Sequence, residues 1–285
     1  MSDLGGYEPS RRAHDQLAAC DAGLPDLEDG GFLGVFQPCM ALFSTRRAAL
    51  CPVEKAGAWP LARSDLDPQS RALLSELGAL PTLPPHLFGE RGFQSTSEDV
   101  RRFTDRSIPP STTPLRTGSD VGAFSRRPAS LHCDPALLGG RFRKPEQWSE
   151  VALFIRQTAR YPMATRSDGS AFRNSILAGF ADETFDASLL VAYLNSSPVR
   201  WYHYMRHRDA RQGMPQLKIA HLRALPAPPE NHPGLSALRA MGERLDLRNQ
   251  GISEDEQAEL DTLVYEILGV SSEAREVIEG WRQAR

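Results

Sequence analysis

Long apolar runs are missing from this chain. No stretch approaches the ~18 consecutive apolar residues of a membrane-spanning helix, so a membrane is not an expected partner. The opening MSDLGGYEPSRRAHDQ has no apolar core of the kind a secretory signal carries. Cysteine is scarce: Cys20, Cys39, Cys51 and Cys133 are scattered, with no C-x-x-C pair. That spacing argues against a disulfide framework or a zinc site and fits reduced thiols, giving an expectation of a cytoplasmic protein. Catalytic signatures are missing too. There is no P-loop, H-E-x-x-H, G-x-S-x-G or P-D-x(n)-[DE]-x-K pattern. No glycine-rich F-x-G-x-G cofactor loop follows a strand, and FLGVF at 32–36 is a poor match. The proline pairs sit in LPPH, IPPS and APPE, none of which is a [DNS]-P-P-[YFW] tetrapeptide. No catalytic, cofactor-binding or metal residue is therefore nominated.

What is present is an ordinary folded composition. Of 285 residues, 40% are hydrophobic and 24% charged, near the usual charged share of about 25%. That length suits one large domain or two small ones. The net charge of −3 conceals an uneven distribution. Residues 1–90 hold 7 Lys+Arg against 12 Asp+Glu, a balance of −5. Residues 91–230 hold 20 against 13, or +7, and residues 231–285 hold 6 against 11, or −5. Of the 20 middle cations 18 are Arg, the exceptions being Lys144 and Lys218. Arginine offers a planar fork of donors suited to phosphate and to guanine edges. A genome rich in GC would also favour Arg over Lys, but that does not explain the asymmetry of charge.

The pattern of residues predicts an α+β fold. Residues 1–30 read as a loose, acidic start, and residues 32–50 as one short strand and one helix. Leu73, Leu74, Leu77 and Leu80 have helical spacing, with Asp67 or Ser70 as cap. Between Phe93 and Leu153, frequent Pro and Gly break the chain into short extended pieces: SIPPSTTPL, DVGAF, ASLHCDP and LLGGRFRKP. VALFIRQTARYPMAT is the best strand, with Val151, Leu153 and Ile155 on one face and Phe154 and Arg156 on the other, and FRNSILAGF is a second. ASLLVAYLNSS places Leu189, Leu190, Tyr193 and Leu194 on a helical stripe, and Pro198 suits the first turn of the next helix. That helix is expected to end at Gly213, with Trp201, Tyr202 and Tyr204 packing in the core. Ser253 and Glu256 form a capping box before an apolar stripe of Leu260, Leu263, Val264, Ile267 and Leu268, and Gly269 suits the stop. With SSEAREVIEGW this gives a C-terminal helical hairpin.

Five pieces in fixed order resemble the TaqI-like C-terminal specificity (target-recognition) domain of adenine-specific DNA methyltransferases from restriction–modification systems. They are GERGFQST (89–96), LRTGSDVGAF (115–124), KPEQWSEVALFIRQTARYPMAT (144–165), ASLLVAYLNSSPVRWYHY with QLKIAHLRALPAPP, and the C-terminal ELDTLVYEILGVSSEAREVI. The match covers roughly residues 80–280. The resemblance implies a mixed, β-rich target-recognition domain with a helix pair at 80–230. A C-terminal helical segment follows at 231–285. Residues 1–79 are a linker or the remnant of a preceding domain. It departs from the family in one respect. The catalytic domain that usually precedes the specificity domain, with its S-adenosylmethionine site and N-P-P-Y-type motif, has no counterpart in the roughly 85 residues available, about half the length such a domain needs. The resemblance thus implies a specificity subunit that reads double-stranded DNA beside a separate methyltransferase chain, possessing or lacking nuclease activity, in which S-adenosylmethionine is bound. A gene fragment, a divergent or truncated site-specific adenine methyltransferase, and a protein-interaction module are the alternatives.

On that reading the candidate DNA-binding residues are Arg156, Gln157, Arg160, Arg173, Arg206, His207, Arg208, Arg211, Gln212 and Lys218. Arg and Gln suit bidentate contacts to guanine and adenine. The cluster RHRDARQGMPQLK brackets a Gly-Met-Pro break whose charges suit a phosphate backbone, and Gly213 permits close approach. His203 and His207, four residues apart, lack neighbouring ligands except Asp209 and are expected at the surface or on the DNA backbone.

Overall fold

The structure is a computed structural model that describes residues 66–106, 111–207 and 215–283, together with the short strands between 22 and 44. The chain forms two compact units, one of Met1–Ser75 with Arg206–Pro215 and one of Glu76–Met205 with Gln216–Arg285.

In the first unit, β1 (Ala22–Gly23) pairs antiparallel with β4 (Phe43–Ser44), and β2 (Asp26–Glu28) with β3 (Cys39–Met40). The strand-and-helix expectation for residues 32–50 thus meets two short strands, and the rest of that segment lies outside the described residues. Helix α1 (Pro68–Gly78) begins where Asp67 accepts a hydrogen bond from Ser70 N at 2.8 Å. Leu73, Leu74 and Leu77 are its buried stripe, and Leu80 lies beyond its end.

The second unit is a mixed α+β body. In chain order it holds β5 (Phe88–Gly89), α2 (Ser97–Arg101), β6 (Thr113–Arg116), β7 (Val121–Gly122), β8 (Ser125–Arg126), β9 (Leu131–Cys133), α3 (Pro135–Leu138), α4 (Pro145–Ser149), β10 (Leu153–Arg156), β11 (Ala164–Arg166), β12 (Ala171–Phe172) and β13 (Ile176–Gly179). The helices α5 (Ala187–Asn195), α6 (Ser197–Arg206), α7 (Ile219–Arg223), α8 (Leu235–Arg248), α9 (Glu254–Leu268) and α10 (Ser272–Gln283) follow. One sheet is antiparallel throughout, in the order β11-β10-β13-β5. A second runs β12-β6-β9, with β12 and β6 parallel, and β7 pairs antiparallel with β8 in a small third sheet.

The strand prediction for VALFIR holds in place but not in pattern. Leu153, Phe154 and Ile155 are all fully buried, because β10 is a central strand with cover on both faces. On one face Phe154 meets Phe172 at 5.1 Å between ring centroids, and an aromatic chain continues through Trp148 and Phe142 to Phe93. This chain joins the two larger sheets and centres the core. FRNSILAGF is two strands, β12 and β13, broken at Arg173–Ser175. LLGGRFRKP carries helical turns at α3 and before α4 instead of an extended piece: Asp134 caps α3, and prolines occupy the first turns of both helices.

Helix α5 is buried all round from Leu189 to Asn195, not along one stripe. Its first turn is capped by Asp186, whose carboxylate accepts from Ser188 N and Leu189 N. It packs so closely on α8 that a β-carbon at Gly242 would stand 2.1 Å from the Ser188 carbonyl oxygen. The α9 capping box of Ser253 and Glu256 and the left-handed stop at Gly269 match the sequence expectation. Trp201, Tyr202 and Tyr204 are core residues. The segment Pro81–Leu83 pairs with Leu225–Ala227 through the Thr82–Pro226 bridge, so the proline-rich run beside Leu225 closes the fold against an earlier proline-rich run.

Two buried side chains fasten the outer edge of the first sheet. Asn195 Oδ1 accepts from Ala164 N at 3.0 Å, and its Nδ2 donates to Ala164 O at 2.8 Å. Asp246 accepts from Thr165 Oγ1 at 2.7 Å and Arg166 N at 2.9 Å. β11 is an edge strand, and an edge strand's free backbone groups need partners when buried. Helix side chains supply them here.

Candidate nucleic-acid interface

Five segments meet at the end of the sheets where β10 and β12 finish. Gln157, just past β10, donates its backbone N–H to Ser175 O at 3.0 Å and accepts at its carbonyl from Leu217 N at 2.8 Å. The turn Arg173–Ser175, between β12 and β13, is held from two sides. Asn174 N donates to Phe93 O, and Gly118 N donates to Ser175 Oγ at 2.9 Å. Glycine is required on both sides. A β-carbon at Gly92 would stand 2.5 Å from Arg173 O, and one at Gly118 would stand 2.7 Å from Ser175 O. Asp120 fixes the loop beyond Gly118 by accepting from Thr117 and Ser130.

The structure therefore brings together Arg156, Gln157, Arg160, Arg173 and Lys218. Arg156 is half-buried, and its Nε donates to Thr158 O at 3.0 Å. Gln157 is half-buried, and its side-chain amide makes no hydrogen bond among the described residues. Arg160 and Lys218 are exposed, Lys218 directly before α7. Arg173 donates to Ser95 Oγ at 2.7 Å and lies 5.5 Å above the Phe103 ring, while its Nε is buried with no partner. Burial lowers its pKa. Among the described residues none of Arg156, Arg160, Arg173 and Lys218 has a carboxylate within ion-pair distance.

Other cations of the basic middle are neutralised. Arg102 pairs with Glu98, Arg116 with Asp168, Arg126 with Asp246 and Arg141 with Asp99. The Arg141 guanidinium, together with the Thr96 backbone, holds the Asp99 carboxyl well below the usual carboxylate range. The positive excess of residues 91–230 is thus partly cancelled within the fold, and the unpaired remainder includes the cations at this sheet end.

Arg206 is exposed at the end of α6, where the helix stops short of the expected Gly213, and His207 is half-buried; both belong to the first unit. Arg208, Arg211 and Gln212 lie outside the described residues. His203 departs from the surface role expected of it. It is 2% exposed, with its ring 5.6 Å from that of His221. Burial, reinforced by His221, lowers its pKa to about 3, and a backbone hydrogen bond at Arg160 acts weakly in the opposite direction. It is a neutral core group under the loop that carries Arg160.

Gln94, Ser119 and Asn174, which are not among the candidates read from the sequence, are exposed on the same converging loops. The signal was their position in or beside the quoted pieces GERGFQST, LRTGSDVGAF and FRNSILAGF. Two other residues of the family-like pieces, Asn195 in ASLLVAYLNSS and Asp120 in LRTGSDVGAF, prove structural instead. Asn195 fastens β11, and Asp120 ties its own loop.

No family model and no curated protein matches this chain. Among solved structures it is similar to a chain from work on complex assembly and conformational transition of the type I restriction–modification system, at 14% identity and a TM-score of 0.33. The similarity covers 70% of this chain and 50% of that one, so the chain spans about half the length of its neighbour. At that score the likeness carries no argument about fold or function.

Proposed function

We propose that this chain is the DNA target-recognition module of an adenine-specific restriction–modification system, acting on double-stranded DNA beside a separate catalytic subunit. The observation that carries the reading is the gathering of Arg156, Gln157, Arg160, Arg173 and Lys218 at one sheet end with no carboxylate among the described residues to neutralise them. The ordered family-like pieces in the sequence support it independently. In this reading Gln157 and Asn174 read base edges, since an amide pairs in two-point fashion with adenine in the major groove. Arg160 and Lys218, exposed and unpaired, take phosphates and set the register. Arg173 acts from its seat on Phe103 and Ser95, a guanidinium already partly desolvated and held at one angle. Arg206, His207, Arg208, Arg211 and Gln212 add backbone contacts from their own segment. S-adenosylmethionine belongs to the partner methyltransferase.

The test is duplex binding by fluorescence anisotropy across a salt series. Each phosphate contact contributes about −0.9 to the slope of log K against log salt for B-DNA, so a slope of about −3 or steeper is expected. Arg160→Glu with Lys218→Glu should weaken binding and flatten the slope by about 2. Absence of binding at low salt refutes the proposal and favours a protein-interaction module. A parallel titration with S-adenosylmethionine examines the alternative of a divergent methyltransferase, which saturable binding by the chain alone would support.

A further inference from the structure

The start of the β6–β12 pair holds a cavity of about 400 Å³. The strands run parallel, with Leu115 opposite Ala171 and Arg116 opposite Phe172. The cavity, beside Thr113 and Ala171, therefore lies at the opposite end of that pair from Arg173 and the interface above. Its volume sits at the lower end of the ~300–1,000 Å³ usual for small-molecule sites. Phe142, Trp148, Pro114 and Pro135 give it apolar and aromatic walls, and Arg143 and Lys144 supply two cations. No carboxylate is among its lining residues. The nearby acid Asp168 is engaged by Arg116 and Ser170.

The walls are held from outside the cavity. Trp148 Nε1 donates to Arg143 O at 3.1 Å, which fixes the indole against the segment that carries the cations. Phe142 is tilted between Trp148 and Phe93, at 5.8 and 5.6 Å between ring centroids. The Arg143 Nε donates to Arg91 O at 2.8 Å, leaving the outer nitrogens of its guanidinium without another hydrogen bond among the described residues. Lys144 is exposed and has no carboxylate partner among the described residues. An apolar, aromatic chamber with two positive groups and no negative one is complementary to a flat ring that carries an anionic group.

We propose that this cavity binds a single nucleotide, with the base against Phe142 and the proline walls and the phosphate on Arg143 and Lys144. That chemistry is shared by a free nucleoside monophosphate and by an unpaired nucleotide in a DNA strand. The site does not depend on the duplex-reading role. Aromatic stacking of a base should raise affinity by about five- to a hundredfold.

The experiment is calorimetric titration of the full chain with deoxyadenosine monophosphate, deoxyadenosine, inorganic phosphate and a short single-stranded oligonucleotide. Saturable binding of the monophosphate is expected, with the nucleoside and phosphate each weaker by about tenfold. Arg143→Gln and Lys144→Gln should each weaken it several-fold, Phe142→Leu should do the same, and Lys144→Gln should leave duplex affinity unmoved. Thermal unfolding verifies that the variants are folded; Lys144→Gln, at an exposed position, is the safest. Binding of the oligonucleotide through the same three residues, with free monophosphate excluded, supports the site and assigns its ligand to a strand. Failure of both to saturate at millimolar concentration overturns the proposal. So does binding indifferent to Arg143→Gln and Lys144→Gln, or phosphate that binds as tightly as the monophosphate. Duplex binding that survives such a result leaves the recognition role standing.

Discussion

Replacing Asn195 by Ala tests whether the sheet edge is held as the structure indicates. The side chain is fully buried, with its two donors on Ala164 O and Val191 O and its oxygen accepting from Ala164 N and Arg200 Nη2. Truncation affects these groups unequally. Ala164 O keeps its bond from Phe124 N. Ala164 N loses the one acceptor it has among the described groups. Arg200 keeps Pro162 O at its Nε and the Tyr161 ring beneath it, but loses an acceptor at Nη2. Burial already lowers the Arg200 pKa to about 10, so the group is still charged and poorly placed to lose a partner. Each orphaned buried donor costs about 1–3 kcal/mol, more when charged. Truncation should therefore cost about 3–5 kcal/mol, a large part of a typical total of about 5–15 kcal/mol. With a urea slope of about 2 kcal/mol/M, circular dichroism should show the midpoint falling by roughly 2 M at constant slope. Asn195→Asp keeps the two accepted bonds but turns a carboxylate oxygen toward two carbonyls, so it should also destabilise, and less so in acid. A loss below about 1 kcal/mol for Asn195→Ala, with the slope unchanged, would show that the edge is held by something else.

Gly242→Ala should destabilise the protein although alanine is favoured over glycine within a helix by about 1 kcal/mol. The new methyl meets a backbone carbonyl of α5 at 2.1 Å, and a falling melting temperature measures the cost. Acid should destabilise through His203. Its folded pKa of about 3 lies below the ordinary 6.5, so the unfolded chain takes up a proton first. Its contribution is complete above pH 6.5 and is lost as pH falls from 6.5 toward 3. That gap is worth roughly 5 kcal/mol at 1.36 kcal/mol per pH unit, and unfolding titrations of His203→Phe should show a flatter acid limb in this window. Gly118→Ala should weaken duplex binding more than it lowers stability, because the displaced Ser175 belongs to the turn that carries Arg173 and Asn174. Equal losses in the two measurements would mean that Gly118 serves the fold alone.

Much of the fold is local physics, and that part was legible. The α9 capping box, the Gly269 stop, the Asp67 cap and the apolar spacing of α6 depend on neighbours within a few positions. The mixed α+β class followed from the strand candidates VALFIR and FRNSILAGF giving way to the helical stripe of ASLLVAYLNSS. Patterning misled where burial is two-sided. β10 and α5 are covered all round, so no alternation or stripe marks the hidden face. His203 reads as a polar surface residue in sequence because nothing local shows that α6 is covered on the face that carries it. Asn195 and Asp120 sit inside family-like pieces, and only their distant partners at Ala164 and Ser130 show what they hold.

The sequence by itself determined that an excess of arginine lies between residues 91 and 230, because charge counts need no geometry. Only the tertiary structure decided which of those cations stay unpaired. Arg102, Arg116, Arg126 and Arg141 meet carboxylates 4 to 120 residues away in sequence. Arg156, Arg160, Arg173 and Lys218 converge because the strand register brings Gln157, Ser175 and Leu217 into hydrogen-bond contact. A charge acts through the distance to its partner, and for residues far apart in the chain that distance is set by folding.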